Sequence, residues 1–420
     1  MSQIKQLNSA IKSIASLLCL SSVETAIETV KPLSLKTQEN DCFLLRGDNL
    51  EALNRLVQNS IDSVDFIYID PPYNTGQKFV YSDNKLRATN SIWGKHYDWV
   101  SFMLPRLAAA RVLLKSDGVI SISIDDYEYA NLKLLMDNVF GEENYISTLV
   151  ICRSKNGKGG KQHVAVNHEY VLLYGKSAKV KIKGLAECES KVYDKQDEFG
   201  EYKIDGLFRK KGDASLKEDR PNMHYPLYYS KDGKVFTERV HENLSVSIPQ
   251  DSKGVKRRWL WGVEKAKEES WKLYASKSGV IYVKNYKTPN KRVKLRSILD
   301  SANYLTDRAT TELKQLFGEK LFETPKPITL IRDLIDSCTS NDAIILDFFA
   351  GTGTTAEAAW ALNKSDGGSR KVILVEQSAS INSEHIAAKR GFKYISDITE
   401  FRLKAIQNED PKYRFSDLSI

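Results

Sequence analysis

Apolar residues recur at three- and four-residue steps at the start of the chain. Ile4, Leu7, Ile11, Ile14 and Leu18 fall on one face of a helix. The pattern predicts a helical arm over residues 1–40, packed on its own body. From residue 41 the rhythm becomes strand then helix. Residues 42–48 and 64–70 are continuous apolar strands separated by a helix-like stretch. Residues 97–116 read as a helix interrupted near Pro105, 117–125 as a third strand, and 127–141 as a helix closed by Gly141. Two more strands follow at 145–153 and 169–176. Continuous apolar strands alternating with helices predict a parallel sheet covered on both faces.

The pattern breaks near 177. Through 300 the chain is polar, with short alternating pieces and turn signals at Ser230-Lys231-Asp232-Gly233 and Ser278-Gly279. The α/β rhythm returns at 326–338, 343–349, 371–376 and 392–398. The expectation is one α/β sheet domain, contributed by 41–176 and 301–400, interrupted by an inserted module at 177–300. A tail, 401–420, carries no readable pattern.

Charge sharpens the picture of the insert. The 420 residues carry a net charge of +8. Residues 176–300 alone hold 29 Lys+Arg against 18 Asp+Glu, so the positive excess lies in that third. A basic block between near-neutral ones is the footprint of a polyanion-binding module. The five cysteines are scattered with no Cys-x-x-Cys pair, which argues against a disulfide framework or zinc ribbon and suits a reducing, cytoplasmic setting. The six histidines show no metal-ligand spacing, so no metal is expected. No stretch approaches the apolar length of a membrane span, and the N-terminus does not read as a signal peptide.

The sharpest chemical signal is Asp70-Pro71-Pro72-Tyr73, at the carboxyl end of an apolar strand. Ligands of open α/β sheets bind at that edge. Two prolines stiffen the chain and leave carbonyls without competing N–H donors. A carboxylate, a free carbonyl and an aromatic face then share a small space. An exocyclic amine on a nucleobase suits that space. Its N–H groups donate to Asp70 and the Pro71 carbonyl, which localises the nitrogen lone pair, while the ring stacks on Tyr73.

The second signal is Asp347-Phe348-Phe349-Ala350-Gly351-Thr352-Gly353, which follows a strand and opens a helix. Its glycines admit close backbone approach by a ligand, and the helix N-terminus offers free N–H groups. Glu376 ends the next strand, where an acid would hold ribose hydroxyls. The turn by itself fits either a dinucleotide or S-adenosylmethionine. Asp347 tilts the choice, because a carboxylate there suits an ammonium and repels a pyrophosphate.

Taken together these motifs resemble the β class of DNA amino-methyltransferases, above all the adenine-methylating Mod subunits of type III restriction–modification systems. The matching stretches include GDNLEAL (47–53), YIDPPYNTG (68–76), FVYSDN (79–84), ISIDDYE (122–128), LMDNVFGEENYI (135–146) and HEYVLLYGK (168–176). They continue with RPNMHYPLYYS (220–230), ETPKPITLIRDLI (323–335), LDFFAGTGTTAEA (346–358) and VILVEQ (372–377). The resemblance implies a Rossmann-like S-adenosylmethionine-dependent sheet with circularly permuted motif order and an inserted target-recognition domain at 177–300.

By the same resemblance Asp70, Pro71, Pro72 and Tyr73 are catalytic, and Phe349, Gly351 and Gly353 surround the methionine part of the cofactor. Lys326 and Pro327 belong to the element that closes over the methionine end. Glu376 takes the ribose hydroxyls and Asp48 contacts the cofactor's adenine. Asp rather than Ser before Pro-Pro-Tyr favours N6-adenine; N4-cytosine methylation and a DNA-binding specificity subunit are the alternatives. A nicotinamide-dependent oxidoreductase is the fold-level rival, but it has no use for Asp-Pro-Pro-Tyr, and RNA is a second substrate to test. The implied partners are double-stranded DNA, a restriction (nuclease) subunit and a second copy of the chain, although this chain is shorter than the restriction-system subunits. Arg257, Arg258, Arg292 and Arg296 are the candidate DNA contacts, with phosphate contact favoured over base reading. Trp259 and Trp261 read as core of the insert. The glycine-lysine stretch 155–161 reads as a loop near the DNA.

Overall fold

The computed structural model describes residues 2–20, 32–33, 40–74, 94–156, 163–187, 193–322 and 324–420. The matched stretch 79–84, residues 157–161 of the glycine-lysine stretch, Cys188 and Glu323 lie outside them. The chain forms two compact units, one of residues 1–185 and 293–420, the other of 186–292.

The larger unit is built on one nine-stranded sheet. Its strands are β1 (Cys42–Arg46), β2 (Val64–Ile69), β3 (Leu114–Ile124), β4 (Tyr145–Cys152), β5 (His168–Gly175), β6 (Ile298–Leu299), β7 (Ile344–Asp347), β8 (Lys371–Glu376) and β9 (Phe415–Ser419). The spatial order is β6-β4-β5-β3-β2-β7-β8-β1-β9. Every pairing is parallel except those of β5 with β3 and β4. The strands next to β7 lead in opposite directions, β8 then β1 on one side and β2 then β3 on the other. The β2–β7 boundary is therefore the topological switch point, where open α/β sheets bind ligands. The strand at this centre comes seventh in chain order among the sheet's nine, which is the circular permutation expected of a Rossmann-like methyltransferase sheet.

Alternation along each strand covers both faces. Phe43, Leu45, Ile67 and Ile69 point into a core shared with the helices α1 (Ser2–Leu17), α2 (Asn49–Val57), α3 (Tyr97–Leu113) and α4 (Tyr129–Phe140). Cys42, Leu44, Phe66 and Tyr68 point into a second core, shared in part with α6 (Ile328–Cys338), α7 (Thr354–Asp366) and α8 (Ile395–Glu409). A further helix, α5 (Thr306–Phe317), packs through Leu313 and Phe317 on Ile395 and Ile398. Among the described residues no helix is long and apolar enough to cross a membrane.

Several elements differ from the sequence expectation. The N-terminal helix buries Ile4, Leu7, Ile11 and Leu18 in the first core, packed on the body as its spacing predicts, but it ends at Leu17, well short of residue 40. Helix α3 runs unbroken through Pro105. It is buried around most of its circumference, and that packing outweighs the roughly 3 kcal/mol a helix-interior proline costs. The stretch 392–398 is not a strand but the start of α8. The Asp397 carboxylate accepts the Lys393 and Tyr394 N–H groups, both at 2.9 Å, and so caps the helix. The tail is not featureless either, because β9 pairs in parallel with β1 at the sheet edge. Arg46 on β1 binds Asp417 of β9 together with Asp397 and Glu400 of α8.

The smaller unit is narrower than the expected 177–300. Residues 177–185 and 293–300 belong to the larger unit, because β6 pairs with β4 and the Lys183 N–H donates to the Ser337 carbonyl. Within 186–292 a four-stranded sheet (order 273–275, 281–286, 200–207, 195–197) and a three-stranded sheet (235–236, 227–229, 245–247) are antiparallel. Phe208, Leu227, Val235, Trp259, Leu273 and Ile281 form its core. Trp259 stacks on Phe208 at 5.3 Å and Trp261 meets the same ring edge-on, so both are core residues, as their sequence context suggested.

Candidate active site

A cavity of about 360 Å³ opens at the switch point. One wall comes from the end of β2 (Asp70, Pro72, Asn74), the opposite wall from the turn after β7 (Asp347 to Thr352), and Glu376 and Gln377 close one side. The two motifs picked out in the sequence, 277 residues apart from Asp70 to Asp347, thus face one space.

The turn after β7 is shaped by its glycines. Gly351 and Gly353 have φ of +53° and +79°, left-handed values that favour glycine. Gly353 caps α7. The Glu376 carboxylate accepts the Gly351 N–H at 2.6 Å, so the acid ending β8 pins the turn. Asp347 is 2% exposed; it accepts the Phe349 N–H and the Thr355 hydroxyl. Burial pushes the Asp347 carboxyl up to about 7 and that of Glu376 up to about 8. Two buried acids in one crevice call for a cationic partner and for hydroxyl donors.

Asp48 also lines the cavity, and it caps α2 by accepting the Leu50 and Glu51 N–H groups. Its other oxygen meets Arg106 at 3.3 Å. Pro327 caps α6 and stays outside the lining, which takes Thr324 and Pro325 from the same stretch.

On the β2 side, the Tyr73 hydroxyl donates to Asp70 at 2.8 Å. The Trp99 indole N–H donates to the Pro72 carbonyl at 2.7 Å. Lys326, expected by resemblance at the methionine end, instead points its ammonium into this cluster. It lies 3.3 Å from Asp70, 2.6 Å from the Tyr73 hydroxyl and 2.9 and 3.0 Å from the two Glu169 oxygens. Burial pushes the Asp70 carboxyl above its usual range, with Lys326 opposing. Burial works against the Lys326 charge, yet Asp70 and Glu169 outweigh it and raise its pKa above the ordinary lysine value.

Three contributors were missed in the sequence. Glu169 is 6% exposed at the start of β5. Because β5 runs against its neighbours, its first residues fall at the edge where the parallel strands end. A charged residue at the head of an apolar strand was the available signal. Glu128, fully buried, accepts from Asn74 and Asn131, both at 2.7 Å, and contacts His96 Nδ1 at 2.6 Å. Asn49 donates to the Phe348 carbonyl at 2.9 Å. Neither Glu128 nor Asn49 carries a motif of its own.

The candidate DNA contacts divide. Arg258 is 8% exposed and donates to the Ala214 and Trp259 carbonyls. Arg257 binds Asp251 at 2.8 Å and Ser215 at 2.8 Å. Both hold the smaller unit together, contrary to the expectation of an open cationic surface. Arg292 and Arg296 are exposed, and Arg296 belongs to the larger unit. With the observed boundaries the smaller unit holds 23 Lys+Arg against 17 Asp+Glu. Much of the remaining positive excess, including Lys179, Lys181, Lys294 and Arg296, lies on the flanking segments of the larger unit.

A doubly wound sheet with an acid-lined crevice at its switch point is the arrangement of an α/β enzyme with a ligand site at the strand ends. The comparisons specify it. A family model described as DNA methylase matches residues 64–406. The type II methyltransferase M.KpnI of Klebsiella pneumoniae is 49% identical over 402 residues, covering 96% of each chain. The EcoPI Mod subunit of Escherichia phage P1, a type III restriction–modification enzyme, is 35% identical over 87% of this chain. The StyLTI Mod subunit of Salmonella typhimurium is 34% identical over 92% of it. The chain spans about 60% of the length of those Mod subunits. The chain belongs to the DNA methylase family, and its substrate is DNA.

Proposed function

We propose that the chain transfers a methyl group from S-adenosylmethionine to the exocyclic N6 amine of a flipped-out adenine in duplex DNA, as the modification enzyme of a restriction–modification system. The observation that carries this reading is the single cavity shared by Asp70 of Asp-Pro-Pro-Tyr and the Asp347–Gly351 turn. The residues present suit the donor. Buried Asp347 matches its ammonium, the Phe349 side chain offers an apolar wall, and Glu376 offers acceptors to ribose hydroxyls. When bound, S-adenosylmethionine supplies an electrophilic methyl on a sulfonium.

The chain's residues then align and shield. Asp70 and the Pro71 carbonyl hold the amine, and Tyr73 stacks on the flipped base, which recovers part of the few kcal/mol that flipping costs. A nuclease subunit or a second copy would show on co-purification.

The test is single-molecule sequencing of DNA from a methylation-free host expressing the wild-type chain or Asp70→Ala. N6-methyladenine at one short motif, absent in the variant, is the expected result. N4-methylcytosine in its place, or no modification by folded protein, overturns the reading.

A further inference from the structure

The Lys326 ammonium shows where a nitrogen fits. One atom, Nζ, lies 3.3 Å from Asp70 Oδ1 and 2.9 Å from Glu169 Oε2. Two carboxylates from different strands are therefore spaced to be bridged by a single nitrogen. That nitrogen also lies 2.6 Å from the Tyr73 hydroxyl. Lys326 is the one cation in contact with this pair among the described residues, and it sits at the head of α6, on a different segment from either acid.

Resting on the adenine-methyltransferase reading, we propose that Glu169 is a second catalytic carboxylate, facing the acceptor amine opposite Asp70, and that Lys326 marks the place that amine takes. When the base enters, its exocyclic nitrogen takes the place of Nζ. One N–H donates to the Pro71 carbonyl and the other is shared between Asp70 and Glu169. In the transfer the nitrogen lone pair forms the N–CH3 bond while the S–CH3 bond breaks and its electron pair returns to sulfur, leaving a neutral thioether. The positive charge passes from sulfur to nitrogen. It arrives between two carboxylates, just where the structure holds an ammonium. One proton then leaves the nitrogen for Glu169 and passes to solvent, giving the neutral methylamine. A pair of acids left without its lysine stabilises a cation more than a neutral amine, so the interaction grows toward the transition state and accelerates the step.

The competing role for Glu169 is structural: it neutralises Lys326 and nothing more. A double-mutant comparison separates the two. Single-turnover transfer of labelled methyl from S-adenosylmethionine to DNA of a methylation-free host is measured for wild type, E169Q, K326M and the double variant. The expected result is a rate loss on the order of 100-fold for E169Q, with S-adenosylmethionine affinity within about threefold of wild type. The same order of loss recurs when E169Q is added to K326M. A wild-type rate for E169Q, or no added loss in the K326M background, overturns the proposal. Should E169Q fail to bind S-adenosylmethionine, E169D keeps the charge and withdraws it by one methylene; an unchanged rate there also overturns it. Wild-type protein that transfers no methyl to DNA overturns the reading on which the proposal rests.

Discussion

The buried carboxylate of Glu128 accepts a hydrogen bond from the Asn74 amide at 2.7 Å, and Asn74, the residue after Asp-Pro-Pro-Tyr, has a φ of +56°. A left-handed asparagine is tolerated at a modest cost, and a charge-assisted bond offsets it. Glu128 sits at the start of α4 and also binds Asn131 and His96. The catalytic tetrapeptide is thereby held from outside the strand that carries it.

Glu128→Ala is expected to lower stability by about 2–4 kcal/mol, since it strands the amides of Asn74 and Asn131 in the interior. Methyl transfer should fall more than S-adenosylmethionine binding does. Thermal denaturation and calorimetry check both. A variant with wild-type melting would show that Asn74 keeps its conformation unaided.

Cofactor binding should be proton-linked. Asp347 and Glu376 have carboxyls raised to about 7 and about 8 by burial. Their folded values lie above the unfolded ones, so the native state binds more protons than the unfolded state, and these two groups lower stability as pH rises from about 5 to 8. An ammonium placed beside Asp347 favours its ionised form. Binding near pH 7 should therefore release protons, and affinity should rise between pH 6 and 8. Calorimetry in buffers of different ionisation enthalpy measures the release; a signal independent of buffer would show both acids already ionised.

The two glycines of the turn should respond differently to alanine. At Gly353, φ is +79° and a Cβ would lie 3.1 Å from Thr399 Cγ2. At Gly351, φ is +53° and a Cβ would meet only Phe322 Cζ, 3.9 Å away. Both pay the left-handed cost of about 1–2 kcal/mol, but Gly353→Ala adds a clash with α8. It should melt at a lower temperature than Gly351→Ala, and equal melting would mean that α8 gives way freely.

The arginines of the basic region should separate by salt dependence. Arg258→Met removes bonds to two carbonyls and should cost about 1–3 kcal/mol in stability, with the salt slope of DNA binding unchanged. Arg296→Ala, at an exposed position, should leave melting unchanged and reduce that slope by about 1 if it meets a phosphate. Binding measured between roughly 50 and 200 mM salt reads the difference.

Much of the larger unit was legible because its strands are continuous apolar runs and its two motifs punctuate strand ends. What stayed hidden depends on long-range partners. Nothing local in Phe415–Ser419 announces a strand; it becomes one because Arg46 and the edge of β1 receive it. Arg257 and Arg258 looked like a DNA surface because a cationic pair reads the same whether it faces water or the Asp251 carboxylate and the Ala214 carbonyl. The contact of Lys326 with Glu169 stayed hidden, since no spacing rule records a partner 157 residues away.

The permuted strand order has a consequence for synthesis. Strands β1 and β2 are the first two made, yet β7 and β8 lie between them in the finished sheet. While residues 1–176 emerge from a ribosome, the first two strands have no native neighbour in each other and must wait for the segment ending at Glu376. The nascent half-chain carries a gap two strands wide, with apolar edges on either side. Contacts of such sequence separation fold slowly and leave edges open to wrong pairing. A chain stalled before β7 would thus be a sticky, incomplete sheet, whereas the same catalytic motifs in unpermuted order would close theirs as they were made.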